Sequence, residues 1–196
     1  MRQQKRAFAA AMSASNSSIS NMWPPHTSSD VRPWPFAPRP FDDEAFGSWF
    51  GRVASRYRLS IDRMWVANQL GPLPSLTNAG WILFAPVDNR VLDTLAELAR
   101  LDIARLAHIQ TRTDWMIPRR HLPYCFRCLV LNPADVTAPR WKRAWLDPAA
   151  GYCDEHREPL ETVRASTIRQ ASNMEHLLKL VSRYRKKREV RRMRLN

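Results

Sequence analysis

The chain has 196 residues, of which 31 are Lys or Arg and 18 are Asp or Glu, a net charge of +13. Fifteen Pro against five Gly with no three-residue period exclude a collagen-like chain, and three Cys cannot close a disulfide framework, which points to metal binding or isolated thiols in a reducing compartment. The basic excess makes polyanions the expected partner class, nucleic acid first, and the charge-poor stretches at 7–29 and 64–87 are too polar or too Pro-broken to span a membrane.

Residues 1–32 read as a disordered N-terminal tail. They are Ser-rich, carry Arg2, Lys5 and Arg6, and have no acidic residue before Asp30. That composition also suits an organelle transit peptide, although the apolar run Ala7–Met12 is too short for a secretory signal. Between Pro24 and Pro40 there are six prolines, interleaved with Trp34 and Phe36, which predicts an extended arm leading into the first domain.

Residues 33–118 are expected to be helical. Asp42 and Asp43 are good N-cap residues, and Phe46, Trp49, Phe50, Val53, Ala54 and Tyr57 recur with helical period, predicting a helix with one buried stripe. Ser60 can cap a short helix over 61–68, ended by Gly71 and Pro72. The run Trp81–Ala85 reads as a short strand or a loop packed on the core. Asp88 caps a third helix with Val91, Leu92, Leu95, Leu98 and Ala99 on its inner face, and Asp102 caps a fourth over 103–108. The string Arg58-Leu59-Ser60-Ile61-Asp62-Arg63-Met64 recurs 42 residues later as Arg100-Leu101-Asp102-Ile103-Ala104-Arg105-Leu106. Each copy follows an amphipathic helix and supplies an inward Leu and a capping residue, which is helix-turn-helix geometry twice.

Residues 119–160 carry the sharpest chemistry. Cys125 and Cys128 form a C-x2-C pair, and Cys153 and His156 form a C-x2-H pair. Two-residue spacing lets both side chains of a knuckle reach one ion, and three thiolates with an imidazole select Zn²⁺ in a tetrahedral set. Four protein ligands leave no open position, so the ion would be structural. A redox pair is the competing reading, but Pro123, Pro133, Pro139 and Pro148 do not suit the strand-to-helix setting of thioredoxin-like motifs. His121 lies just outside the first knuckle. Between the knuckles, Arg140, Lys142 and Arg143 alternate with Trp141 and Trp145. The cations can face phosphate, while the Trp pair suits either base stacking or the small core of a zinc ribbon.

Residues 161–196 hold eleven Lys or Arg against three Glu. Ile168, Ala171, Met174, Leu178 and Val181 predict a docked helical stripe. Beyond it Arg183, Arg185, Lys186, Lys187, Arg188, Arg191, Arg192 and Arg194 crowd together, which favours contact with a phosphate backbone. A solvated tail and a membrane-surface helix are the weaker alternatives.

Two segments resemble the TniQ family of bacterial transposition target-selection proteins. One is the opening pattern Asp43-Glu44-Ala45-Phe46-Gly47-Ser48-Trp49-Phe50-Gly51-Arg52-Val53-Ala54. The other is Tyr124-Cys125-Phe126-Arg127-Cys128-Leu129, then Trp141 and Trp145, then Cys153-Asp154-Glu155-His156-Arg157-Glu158-Pro159-Leu160. The resemblance covers about Pro33–Leu160. Longer members continue with further domains, often a second cysteine cluster, whereas this chain has no Cys after Cys153, leaving a short adaptor-like member or a remnant as the two expectations.

The expected fold is therefore mainly α: two helix-turn-helix-like pairs, a small zinc-ribbon-like module and a basic C-terminal helix. The resemblance implies a non-enzymatic accessory protein in DNA transposition that contacts target DNA and recruits an AAA+ transposition regulator and, through it, a transposase. It further implies a bacterial, cytoplasmic, nucleoid-associated protein with one Zn²⁺ and no membrane partner; a homodimer is compatible with it. The alternative is a stand-alone helix-turn-helix transcriptional regulator with a structural zinc site. An enzyme is disfavoured because HExxH, Gly-rich phosphate loops and nucleophile elbows are missing from the sequence.

Overall fold

The computed structural model describes residues 32–74, 79–131 and 139–193, apart from the side chains of Glu189, Arg191 and Arg192. The expectation of a disordered tail over 1–32 falls almost wholly outside them, as does Arg194.

The opening helix, α1 (Phe46–Arg56), is the centre of the molecule, and it departs from the sequence expectation in two ways. Its cap is Ala45, not Asp42 or Asp43, and no side chain supplies the cap bond. Carbonyls of distant segments do so instead: Ala45 N–H donates to Trp141 O at 2.8 Å and Phe46 N–H to Ile109 O at 2.9 Å. The donors left over at a helix start are thereby satisfied through tertiary contact. Secondly, every residue from Phe46 to Ala54 is buried, so α1 is covered all round rather than along one stripe.

Three neighbours cover it. One face carries the aromatic core: Phe46 meets Phe84, Phe50 meets Trp65 and Phe84, and Trp49 meets Phe46 and Phe50, with ring centroids 5.3–6.4 Å apart. Each such pair contributes about 0.5–1.5 kcal/mol beyond its buried area. A second face is cut low by Gly47 and Gly51, one helical turn apart. A Cβ on Gly47 would stand 2.2 Å from Trp81 O, and one on Gly51 would stand 2.6 Å from the Trp81 ring. Only hydrogen at those positions lets the 79–84 loop lie on the helix, and Trp81, Ile82, Leu83 and Phe84 are all buried there. The apolar run at 81–85 is thus a core loop, not a strand.

The third face is polar and almost wholly buried. Glu44 accepts from Ser48 Oγ at 2.8 Å and from Arg52 Nε and an Arg52 terminal nitrogen at 2.9 and 2.7 Å. The same Arg52 group donates to Arg39 O at 2.9 Å, and Ser48 Oγ accepts from Trp141 N–H at 2.9 Å. A buried ion pair persists only when its remaining lone pairs and protons are bonded, as here.

The repeated string folds as a repeated structure. Arg58 and Arg100 both adopt left-handed backbone, φ 56° and 53°. After α1, Arg58 N–H reaches Ser55 O and Leu59 N–H reaches Ala54 O, at 3.0 and 2.9 Å. After α3 (Asn89–Ala99), Arg100 N–H reaches Glu97 O and Leu101 N–H reaches Ala96 O, at 3.3 and 2.9 Å. Both are Schellman closures. Each is followed by a capped short helix: α2 (Ile61–Ala67), where Ser60 accepts from Arg63 N–H, and α4 (Ile103–His108), where Asp102 accepts from Ala104 N–H. The corner leucines, Leu59 and Leu101, are half-buried rather than fully inward.

Past α4 the chain forms a two-stranded antiparallel ribbon, β1 (His121–Tyr124) with β2 (Glu161–Arg164). Pro123 is tolerated because a two-stranded ribbon has an unpaired edge on each strand.

α5 (Ala165–Gln170) and α6 (Met174–Met193) complete the fold. The predicted stripe named Leu178, but Leu177 is the fully buried residue. The chain leaves the helix at 171–173, which resets the phase to Met174, Leu177 and Val181. That corner is bonded into the core: Trp81 Nε1 donates to Ala171 O at 2.8 Å, Ile61 N–H to Ser172 O at 2.9 Å and Asn173 Nδ2 to Leu59 O at 3.0 Å. The basic helix therefore grows out of a fixed base, and Pro33–Asn196 clusters as one unit.

Candidate metal centre and nucleic-acid interface

The ribbon explains why two knuckles distant in sequence meet. Tyr124 pairs with Glu161, so the residue after β1 and the residue before β2 lie side by side. Cys125 leaves β1 directly, and Leu129 N–H donates to Cys125 O at 2.9 Å, turning Cys128 back through a π-helical turn, Arg127–Leu131. Opposite it, Tyr152 bridges Pro159, and Cys153 N–H and O bond Glu158 O and Arg157 N–H, each at 2.8 Å. Arg157 takes φ 52° to close this loop.

Cys125, Cys128, Cys153 and His156 bring their ligand atoms within 4.8 Å of one another. His156 Nδ1 lies 3.5, 3.2 and 3.6 Å from the sulfurs of Cys125, Cys128 and Cys153, and the Cys128 and Cys153 sulfurs are 3.6 Å apart. A tetrahedral ion with Zn–S near 2.3 Å and Zn–N near 2.05 Å requires ligand separations of about 3.8 Å between sulfurs and about 3.5 Å between sulfur and nitrogen. The cluster fits that edge length, and the three sulfurs are free thiols in a buried site. His121, by contrast, is exposed at the start of β1 and outside the cluster.

Burial pushes the Cys125 and Cys128 thiols up. Burial acts the same way on Cys153, but hydrogen bonds from His156 bring it down to about 7. Three thiolates around a divalent ion leave one negative charge, and Lys142 is placed to offset it. Its Nζ lies 2.8 Å from Glu155 Oε2, which is itself 3.1 Å from Cys128 Sγ, and 3.2 Å from Asp43 Oδ2. Burial works against the Lys142 charge, yet the Glu155 and Asp43 carboxylates raise its proton affinity overall.

The three cations between the knuckles are thus engaged inside the fold. Arg140 Nε pairs with Asp43 at 2.7 Å and its guanidinium lies over the Phe41 ring. Arg143 donates to His108 O, and its N–H to Asp43 O at 2.7 Å. Together with Lys142 they fasten the metal module to the helical half. Trp141 and Trp145 are buried with ring centroids 6.1 Å apart, as a small core rather than a stacking platform. On α6, Arg185 pairs with Glu161 at 3.1 Å and covers Phe126 at 3.7 Å. Arg183, Lys186, Lys187 and Arg188 are exposed. Arg191 and Arg192 lie in the helix with side chains outside the described set. The N-terminal end of α2, which a recognition helix would place in a groove, is covered by the Ser172 carbonyl.

A family model, TniQ, matches residues 35–160, from the proline-rich arm through the second knuckle. The chain belongs to the TniQ family. No curated protein is similar enough to count as a match. Family membership supports a transposition-associated, DNA-binding role, and TniQ proteins are non-catalytic accessory proteins. A Cys3His cluster that could hold a metal ion fits that membership. Among the described residues no helix is long and apolar enough to cross a membrane. The two knuckles that the spacing singles out do cluster, whereas the roles of Asp43, which ties Arg140 and Lys142 to the helical half, of Glu44, which pairs with Arg52, and of Glu155, which pairs with Lys142, were not visible in the sequence. Their only signal was an acidic residue beside each motif.

Proposed function

We propose that this TniQ protein is a non-enzymatic accessory factor in DNA transposition, acting in the bacterial cytoplasm at the nucleoid. It contacts target DNA and recruits an AAA+ transposition regulator and, through it, a transposase; a homodimer is compatible with this role. Cys125, Cys128, Cys153 and His156 hold one structural zinc, because three thiols and an imidazole at tetrahedral spacing suit that ion and leave it no open position. The observation that carries the reading is the match over 35–160 together with that cluster inside it.

DNA contact is assigned to the exposed part of α6. Arg183, Lys186, Lys187 and Arg188 face solvent, and Arg191, Arg192 and Arg194 continue the run in sequence. Arg185, Arg140, Lys142 and Arg143 serve by holding the surfaces in place. Contacts of this kind add affinity without sequence choice. Replacing Arg183, Lys186, Lys187 and Arg188 by Ala should reduce the slope of log K against log salt by about 3 to 4, and weaken binding equally on unrelated duplexes. Fluorescence anisotropy over a salt series measures both quantities. A variant that lost affinity for one preferred sequence only would favour a stand-alone regulator.

A further inference from the structure

A surface cleft of about 580 Å³ opens where β1 begins and β2 ends. Arg119, Arg120 and His121 line one side of it, and Arg164, Ser166 and Arg169 the other, with no carboxylate among the lining residues. The ribbon register causes this convergence. His121 stands directly opposite Arg164, and their inward neighbours Leu122 and Val163 are fully buried, so both side chains leave the outer face. Arg120 O accepts from Ala165 N–H at 2.9 Å, which holds the α5 side of the cleft against the β1 side.

Several basic side chains of the unit are matched to acids: Arg52 to Glu44, Arg105 to Asp42, Arg127 to Glu158, Arg140 to Asp43. Arg120 and Arg164 have no ion pair among the described residues. Arg119 is half-buried; it donates to Trp115 O and Leu146 O, while its Nε is buried with no hydrogen-bond partner among the described residues. Burial disfavours its charge, and the Asp147 carboxylate only partly offsets this. Clustered guanidiniums in a concavity focus positive potential and repel one another until an anion enters.

We propose that this cleft is an anion site that takes phosphates of a nucleic-acid backbone. The inference rests on the DNA-contacting role assigned above and adds to α6 a second, separate contact surface. Arg185, the anchor of α6, pairs with Glu161, three residues along β2 from Arg164, a separation of about 10 Å at strand rise. Glu161 shares the inward parity of Val163 whereas Arg164 leaves the outer face, so the cleft and the Arg185 anchor are separate surfaces.

The test uses the full metal-loaded chain and a labelled duplex of arbitrary sequence. Arg120→Ala with Arg164→Ala should weaken binding about tenfold and reduce the salt slope by about 2, while Arg120→Lys with Arg164→Lys keeps most of both. On the unaltered chain, the His121 imidazole NMR signals should move as duplex is added, a readout independent of whether any variant folds. A doubly Ala-substituted protein with unchanged affinity and slope, or His121 signals unmoved at saturating duplex, would overturn the assignment. Signals that respond to inorganic phosphate but not to duplex would make it a free-phosphate site and overturn it as well. Loss of binding on changing α6 but not the cleft sinks this inference alone, whereas an unaltered chain that binds no duplex sinks the DNA-contacting role with it.

Discussion

Cys128→Ser is expected to release the metal and unfold the region between Leu122 and Leu160. The apparent free energy of a structural zinc site is about 10–16 kcal/mol at neutral pH, and a module of this length has little core without it. The loss should spread. β2 follows the second knuckle directly and leads into α5 and α6, which bond α2 and the 79–84 loop through Ser172 and Ala171. We therefore expect a fall in thermal midpoint of about 10 °C or more, a broadened transition and early proteolytic cleavage between 120 and 160. Calorimetry with limited proteolysis checks this. Cys125→Ser and Cys153→Ser should behave alike, since all three sulfurs share one ion. Were a single substitution to leave the midpoint unchanged, the thiols would be inert core residues.

Arg52→Ala carries the second large expected effect. Glu44 is completely buried and Arg52 nearly so, with 0% and 9% of their side chains exposed. Removing one partner of such a pair leaves an uncompensated buried charge, which destabilises by about 3–5 kcal/mol. The damage should exceed one ion pair, because Glu44 also orders Ser48, whose hydroxyl holds the Trp141 backbone. Joint replacement with Glu44→Ala should cost less than the sum of the single changes, as expected for groups in one network. Equilibrium denaturation of the two single variants and the double variant measures the coupling. Strict additivity would show that the two side chains do not act together.

Much of this molecule is readable from local pattern. The helices α2, α3 and α4 begin at Ser60, Asp88 and Asp102 because a short oxygen-bearing side chain satisfies a leftover N–H within three residues, a relation contained in the sequence itself. The two matching strings are equally local, and their left-handed arginines follow from the closure each helix makes. The Cys3His cluster was legible because a chelating pair imposes a fixed spacing within each knuckle.

What was hidden depends on contacts between distant segments. Asp43 looks like a cap, but its carboxylate is held ionised by Arg140 and Lys142, nearly a hundred residues on, which outweighs the effect of its burial. The helix start is then capped by the Trp141 and Ile109 carbonyls, which no local rule could supply. Gly47 and Gly51 carry meaning only once Trp81 is seen lying against them. The four-residue strands are too short and too proline-broken to show alternation, and they exist because the knuckles pin their ends together. Sequence counts the cations but cannot see which carboxylate has already paired with one, as Asp43 has with Arg140 and Lys142 and Glu161 with Arg185.

Metal analysis of the full chain probes the central idea most directly. One zinc per chain is predicted, replaceable by cobalt with the visible absorption and thiolate charge-transfer bands of a tetrahedral three-sulfur, one-nitrogen site, and lost in Cys128→Ser. A chain that folds with its full thermal midpoint while holding no metal, or cobalt spectra of an open octahedral site, would contradict it.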